Sequence, residues 1–87
     1  MREISEQLVE QIIGRIYRDT VVSKSPDYFV KHTYSYNDFK ELTSKEVFHS
    51  IIGFLPNVTY RDAPFILSVT FDKRSHNYEI TVKNPIM

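Results

Sequence analysis

The stretch Leu67-Ser68-Val69-Thr70-Phe71-Asp72-Lys73-Arg74-Ser75-His76-Asn77-Tyr78-Glu79-Ile80-Thr81-Val82-Lys83 decides the fold. Apolar and polar residues alternate on either side of a short polar break, the period of two that sets one strand face on a core. Leu67, Val69 and Phe71 mark one strand, and Tyr78, Ile80 and Val82 the next. Directly opposed residues share a face, so the register follows from the pattern. Pairing Phe71 with Tyr78, Val69 with Ile80 and Leu67 with Val82 leaves Lys73–His76 as a four-residue loop. Opposing Lys73 to Tyr78 instead sets Asp72 against Glu79, a like-charge contact, so the first register is expected.

Upstream of this hairpin, Asn57–Arg61 reads as a third strand turned through Asp62-Ala63-Pro64. Thr43-Ser44-Lys45-Glu46 has the spacing of a capping box, with Leu42 and Val47 at the staple positions. The helix it opens, from about Ser44, buries Val47, Phe48, Ile51 and Leu55, and Pro56 stops it. Ser35 and Asp38 repeat the spacing, with Tyr34 and Phe39 as a second staple, predicting a short helical turn through Asp38–Leu42. Residues 19–34 carry two patterns. Val21-Val22 suits a brief strand, and Ser25-Pro26-Asp27 a helix start. Yet Tyr28, Val30, His32, Tyr34 and Tyr36 alternate as a strand does; a short helix from Pro26 followed by an extended piece is the reading slightly favoured.

At the N-terminus Ile4, Leu8, Ile12 and Ile16 recur every four residues, with Val9, Ile13 and Tyr17 beside them. The spacing predicts a helix over residues 4–18, capped by Ser5, with Ile4 and Val9 as its staple. Its apolar arc is wider than the usual core stripe of roughly 100°. Either another helix of the chain covers the surplus, or a second protein does. The whole is read as one small α+β domain over residues 1–87: an N-terminal amphipathic helix, one or two further short helices, and a C-terminal antiparallel β-meander or hairpin.

Composition narrows the function classes. The 11 Lys plus Arg balance 11 Asp plus Glu, which argues against binding bulk nucleic acid or anionic membrane by charge alone. The absence of cysteine removes disulfides, thiolate metal sites and Cys nucleophiles. No run approaches the ~20 apolar residues of a membrane span, so a soluble, cytoplasmic chain is expected. The 17 Ile plus Val and 12 aromatics outweigh four Leu and one Ala, so helices must be held by packing and capping. A core this small gains from a subunit interface, and a homodimer is expected. Phe, Tyr, Met, Ile, Asn and Lys total 33 against 12 for Gly, Ala, Arg and Pro, a bias that follows AT-rich codons and suits a phage or mobile element.

Catalytic signals are sparse. His32, His49 and His76 lack the spacing that puts two imidazoles on one helical face, and only Gly14 and Gly53 are available for phosphate-cradling loops. No cofactor, metal or catalytic group is nominated. The reading is a non-enzymatic protein-binding module that inhibits or adapts a host protein, with Val9, Ile13, Ile16, Tyr17, Tyr34 and Tyr36 as its interface. The alternative is an RNA- or single-strand-binding protein. It would use the Tyr-rich segment around Lys31 and the basic tip carrying Lys73, Arg74 and His76.

Overall fold

A computed structural model describes residues 6–85. Helix α1 spans Glu6–Ser23 and helix α2 Lys45–Ile52. The strands are β1 (Phe29–Tyr34), β2 (Thr59–Tyr60), β3 (Ala63–Pro64), β4 (Ile66–Asp72) and β5 (Asn77–Lys83). The main sheet has the order β1-β5-β4, antiparallel throughout, and β2 and β3 form a separate small hairpin. The α+β class, the N-terminal helix, the short second helix and the C-terminal antiparallel hairpin are those expected.

Helix α1 outruns its prediction at the C-terminal end, where Val21 and Val22 continue the helix instead of forming a strand. The expected Ser5 cap and Ile4 staple lie outside the described residues. Val9, Ile12, Ile13 and Ile16 are buried in the chain's own core, and Leu8 and Tyr17 pack against it. Each isoleucine so buried contributes about 1.5–3 kcal/mol relative to exposure. The broad arc is thus covered within the chain, so Val9, Ile13 and Ile16 have no surface to offer a partner, contrary to the interface expected from them.

No helix starts at Pro26. The Ser25 hydroxyl accepts the Asp27 N–H, and buried Asn84 donates its amide to the carbonyls of Ser25 and Asp27 at 2.8 Å each. Those carbonyls, which a helix would need, are taken by a side chain from the far end of the sequence. The chain therefore leaves this turn extended, and the alternation from Tyr28 onward becomes β1. Here lies the third strand of the main sheet, pairing with β5 from Phe29–Lys83 to Tyr34–Tyr78. Residues 57–61 do not supply it. The β2–β3 hairpin turns at Arg61-Asp62, not at Asp62-Ala63-Pro64.

The expected turn after β1 forms slightly early, as a 3-10 segment over Tyr36–Asp38 followed by turns to Leu42. The Asp38 carboxylate accepts the Ser35 N–H at 2.9 Å, and the rings of Tyr34 and Phe39 meet at 5.3 Å. At α2 the cap is Ser44, one residue after Thr43, and its hydroxyl accepts the Val47 N–H; Val47 at the third helical position has no acceptor to return, so the expected box is reduced to a single cap. Leu42 is exposed and no staple. The helix ends at Ile52, ahead of Pro56, and buried Leu55 belongs to a 3-10 turn, Leu55–Asn57.

The β4–β5 register matches expectation at Phe71–Tyr78 and Val69–Ile80, then departs from it. A β-bulge falls between Ile66 and Ser68, so Ile66, not Leu67, lies opposite Val82. An extra residue exchanges the faces of everything before it. Ile66 is consequently 1 % exposed and Leu67 42 %.

Both helices lie on one face of the sheet, against Val30, Tyr34, Tyr78, Ile80 and Val82. The other face carries Phe29, Lys31 and Thr33 on β1, Glu79, Thr81 and Lys83 on β5, and Ser68 and Thr70 on β4. Among the described residues nothing covers it, and only Thr81 is half-buried. This is a two-layer arrangement with one open sheet face.

Candidate functional site

Two polar clusters and one cleft stand out. In the first cluster the Tyr34 hydroxyl donates to Asp19 Oδ2 at 2.6 Å, and Arg15 pairs with Asp19 at 3.6 Å. The Arg15 guanidinium also donates to the Asp38 carbonyl and lies 5.3 Å from the Phe39 ring. The Thr20 hydroxyl donates to the Ile16 carbonyl at 2.8 Å, so it accepts from His32 Nε2, 2.7 Å away. Burial, then the Asp19 contact, raises the Tyr34 pKa and keeps the phenol neutral. Its hydroxyl is enclosed between α1 and β1, where it locks helix to sheet.

Burial lowers the His32 pKa from its ordinary 6.5, with a smaller opposing effect of Asp19. The unfolded chain then binds the proton more readily than the folded one. Stability from this group is complete above pH 6.5 and falls as pH drops through the folded pKa. Resistance of the wild type to urea is expected to weaken as pH falls below about 6.5, and His32→Gln to flatten that decline. An equal decline in the variant contradicts the assignment.

The second cluster is a shallow recess of about 190 Å³ containing Tyr36, Lys45, His49, Phe71, His76 and Tyr78. His49 Nδ1 hydrogen-bonds the Tyr78 hydroxyl, and Phe71 lies edge-on to His49 at 6.1 Å. Among the described residues no group of three or more His, Asp or Glu is placed to hold a metal ion. Among the described residues no helix is long and apolar enough to cross a membrane.

The cleft, about 460 Å³, opens between α1, the β2–β3 hairpin and the ends of β4 and β5. Its wall is a trio of rings: Tyr17 meets Tyr60 at 5.3 Å and Phe65 at 5.4 Å, and Tyr60 meets Phe65 at 6.2 Å. The Arg61 guanidinium sits over Tyr17 at 4.7 Å and near Tyr60 at 5.7 Å. On the other side, Lys83 reaches over Tyr28 at 5.7 Å. Ala63, Pro64, Leu67, Asn84 and Pro85 complete the lining, which contains no carboxylate among the described residues. Asp62 follows Arg61 at the exposed hairpin tip, and exposed Asp27 lies in the turn beside Tyr28.

The backbone that presents Arg61 is strained. Arg61 and Asp62 have φ of 55° and 65°, the left-handed region that a two-residue hairpin requires and that Asn-Gly fills without penalty. Each side chain there costs on the order of 1 kcal/mol. Strain of this kind concentrates where a side chain is needed for function.

The structure scatters the residues expected to form sites. Tyr34 is buried with Val9, Ile13 and Ile16, and half-buried Tyr36 donates its hydroxyl to the Thr43 carbonyl. Tyr17 alone of that group reaches the cleft. Lys31 is exposed on the open face beside Phe29, whereas Lys73, Arg74 and His76 form the exposed tip at the opposite end of β5. Tyr60, Arg61, Phe65, Leu67 and Lys83 carried no sequence signal for the cleft. Arg61-Asp62 lacks the Asn-Gly signature of its turn, and Lys83 meets Phe29 only through a strand pairing no local pattern announces.

The fold and cleft define a two-layer α+β protein with an open sheet face. Compared with known proteins, the chain matches no family model, no curated protein and no solved structure.

Proposed function

We infer that this chain is a non-enzymatic protein-binding module whose partner lies across the cleft and the adjoining end of the open sheet face. One observation carries the reading. Three of the seven large apolar side chains left exposed among the described residues lie there, around Lys83 at the cleft mouth: Phe29 is 54 % exposed, Tyr28 49 % and Leu67 42 %. Contiguous exposed apolar surface is unusual on a monomer and marks interaction sites, with aromatic rings and Arg enriched at interface centres. The bias toward residues of AT-rich codons supports a phage or mobile-element origin, with a host protein as target.

A second copy of the chain would use the same face, since the apolar arc of α1 packs into the chain's own core. Light scattering gives about 10.3 kDa if a different protein is the occupant, and twice that if a second copy is. The nucleic-acid alternative draws on Phe29 and Lys31, adjacent on the open face. Against it, Lys31 pairs with Thr81 while the basic tip lies beyond Asn77, at least four residues or roughly 13 Å further along β5, so the two cationic groups do not make one patch.

Affinity capture from host lysate tests the reading. The wild-type chain is expected to retain a stoichiometric protein, and the double variant Phe29→Ser, Leu67→Ser to lose at least nine-tenths of it while remaining folded. Equal recovery by both proteins, or a nucleic acid in place of a protein, contradicts it.

A further inference from the structure

We propose that the cleft recognises an acidic, extended peptide segment, seating an apolar side chain against the Tyr17–Tyr60–Phe65 wall and carboxylates on Arg61 and Lys83. The proposal rests on the protein-binding reading and names the partner's chemistry. Charge complementarity at a preformed site supports it. Two cations flank an apolar cavity whose lining holds no carboxylate, and neither makes an ion pair among the described residues. Arg61 is held by two tyrosine rings, and such a guanidinium loses little freedom on accepting a carboxylate in its fork. Lys83 is positioned over Tyr28 in the same way. A second cationic aromatic would be repelled from this mouth, and a purely apolar segment would leave both charges half desolvated and unpaired.

The cleft, at about 460 Å³, has room for a large side chain together with part of its neighbours, and the exposed rings of Tyr28 and Phe29 beyond it provide for the residues that follow. That extension favours a segment of chain over a small carboxylic acid. The strained Arg61-Asp62 turn offers a test in which folding and binding move in opposite directions. Replacing the pair by Asn-Gly relieves the left-handed backbone and removes the guanidinium.

Three probes are titrated into the isotopically labelled full chain and followed by amide NMR shifts: the acetylated hexapeptide DEFDLD, its charge-reversed counterpart KKFKLK, and an oligothymidylate of about ten nucleotides. DEFDLD is expected to move the amides of Tyr17, Tyr60, Arg61, Leu67 and Lys83, with saturable binding. The variant Arg61→Asn, Asp62→Gly is expected to unfold at a higher temperature than wild type yet bind DEFDLD at least tenfold more weakly. Lys83→Gln weakens it several-fold. If KKFKLK occupies the cleft as well or better, the acidic chemistry is overturned while the protein-binding reading stands. If only the oligothymidylate moves these amides, both fall. If no probe does, or if the Asn-Gly variant binds DEFDLD as tightly as wild type, the proposal is overturned.

Discussion

Phe48→Ala is expected to lower stability by about 3–5 kcal/mol, the usual cost of truncating a fully enclosed aromatic ring. Phe48 is 0 % exposed and sits at the centre of the aromatic cluster that joins α2 to the sheet. It stacks on Phe39 at 5.1 Å and meets Tyr78 edge-on at 5.5 Å and Tyr36 at 5.8 Å. Alanine leaves a cavity bounded by three other rings, one from β5 and two from the segment between β1 and α2. Two of those rings are pinned by hydrogen bonds of their own, Tyr36 to the Thr43 carbonyl and Tyr78 to His49, so the site collapses poorly. Domains of this size have a total stability of about 5–15 kcal/mol. The variant should therefore melt well over 10 °C below wild type, or fail to fold at 25 °C. Calorimetry or thermal circular dichroism checks it, and a fall under about 5 °C would mean that α2 does not close the core through this ring.

The second large effect concerns two adjacent residues that the bulge sends to opposite environments. Ile66→Asp places a carboxylate opposite Val82 in a position 1 % exposed, without a cation to pair with. An isolated buried charge costs several kcal/mol, or a proton taken up to avoid it, and the variant is expected to be unfolded at neutral pH. Leu67→Asp changes a bulged residue that is 42 % exposed. Its stability is expected to stay within about 0.5–1 kcal/mol of wild type. Affinity for an acidic partner should drop sharply, because the new carboxylate lies in the lining shared with Arg61 and Lys83. Chemical denaturation of both variants reads the register directly. The opposite ranking would restore the unbulged pairing of Leu67 with Val82.

The bulge also shows where sequence reasoning runs out. Strict alternation in Leu67–Phe71 and Tyr78–Val82 located both strands and two of their pairings, because that signal is local. A single inserted residue has no local signature, and a one-residue shift exchanges the faces of Ile66 and Leu67. Helices α1 and α2 were legible for the same reason as the hairpin, since each carries a 3.6-residue apolar stripe. β1 was obscured by Ser25-Pro26-Asp27, which looks like a helix start. The competing interaction comes from Asn84, far along the chain. The cleft was almost wholly illegible. Its rings and cations arrive from α1, the β2–β3 turn and the end of β5, and only the non-local pairing of β1 with β5 brings Lys83 beside Tyr28 and Phe29. The breadth of α1 suggested a partner surface, and its packing shows why that inference failed. Two layers on a small sheet use nearly the whole arc.

The proposed function requires a partner protein on the cleft and the adjoining sheet face, and not on the helical layer. Site-specific photo-crosslinking inside the host cell tests it most directly, with benzoylphenylalanine placed at position 67 or at the exposed position 46 on α2. The account predicts one discrete protein adduct from position 67 and none from position 46. Adducts of equal yield at both positions, or from position 46 alone, would contradict it.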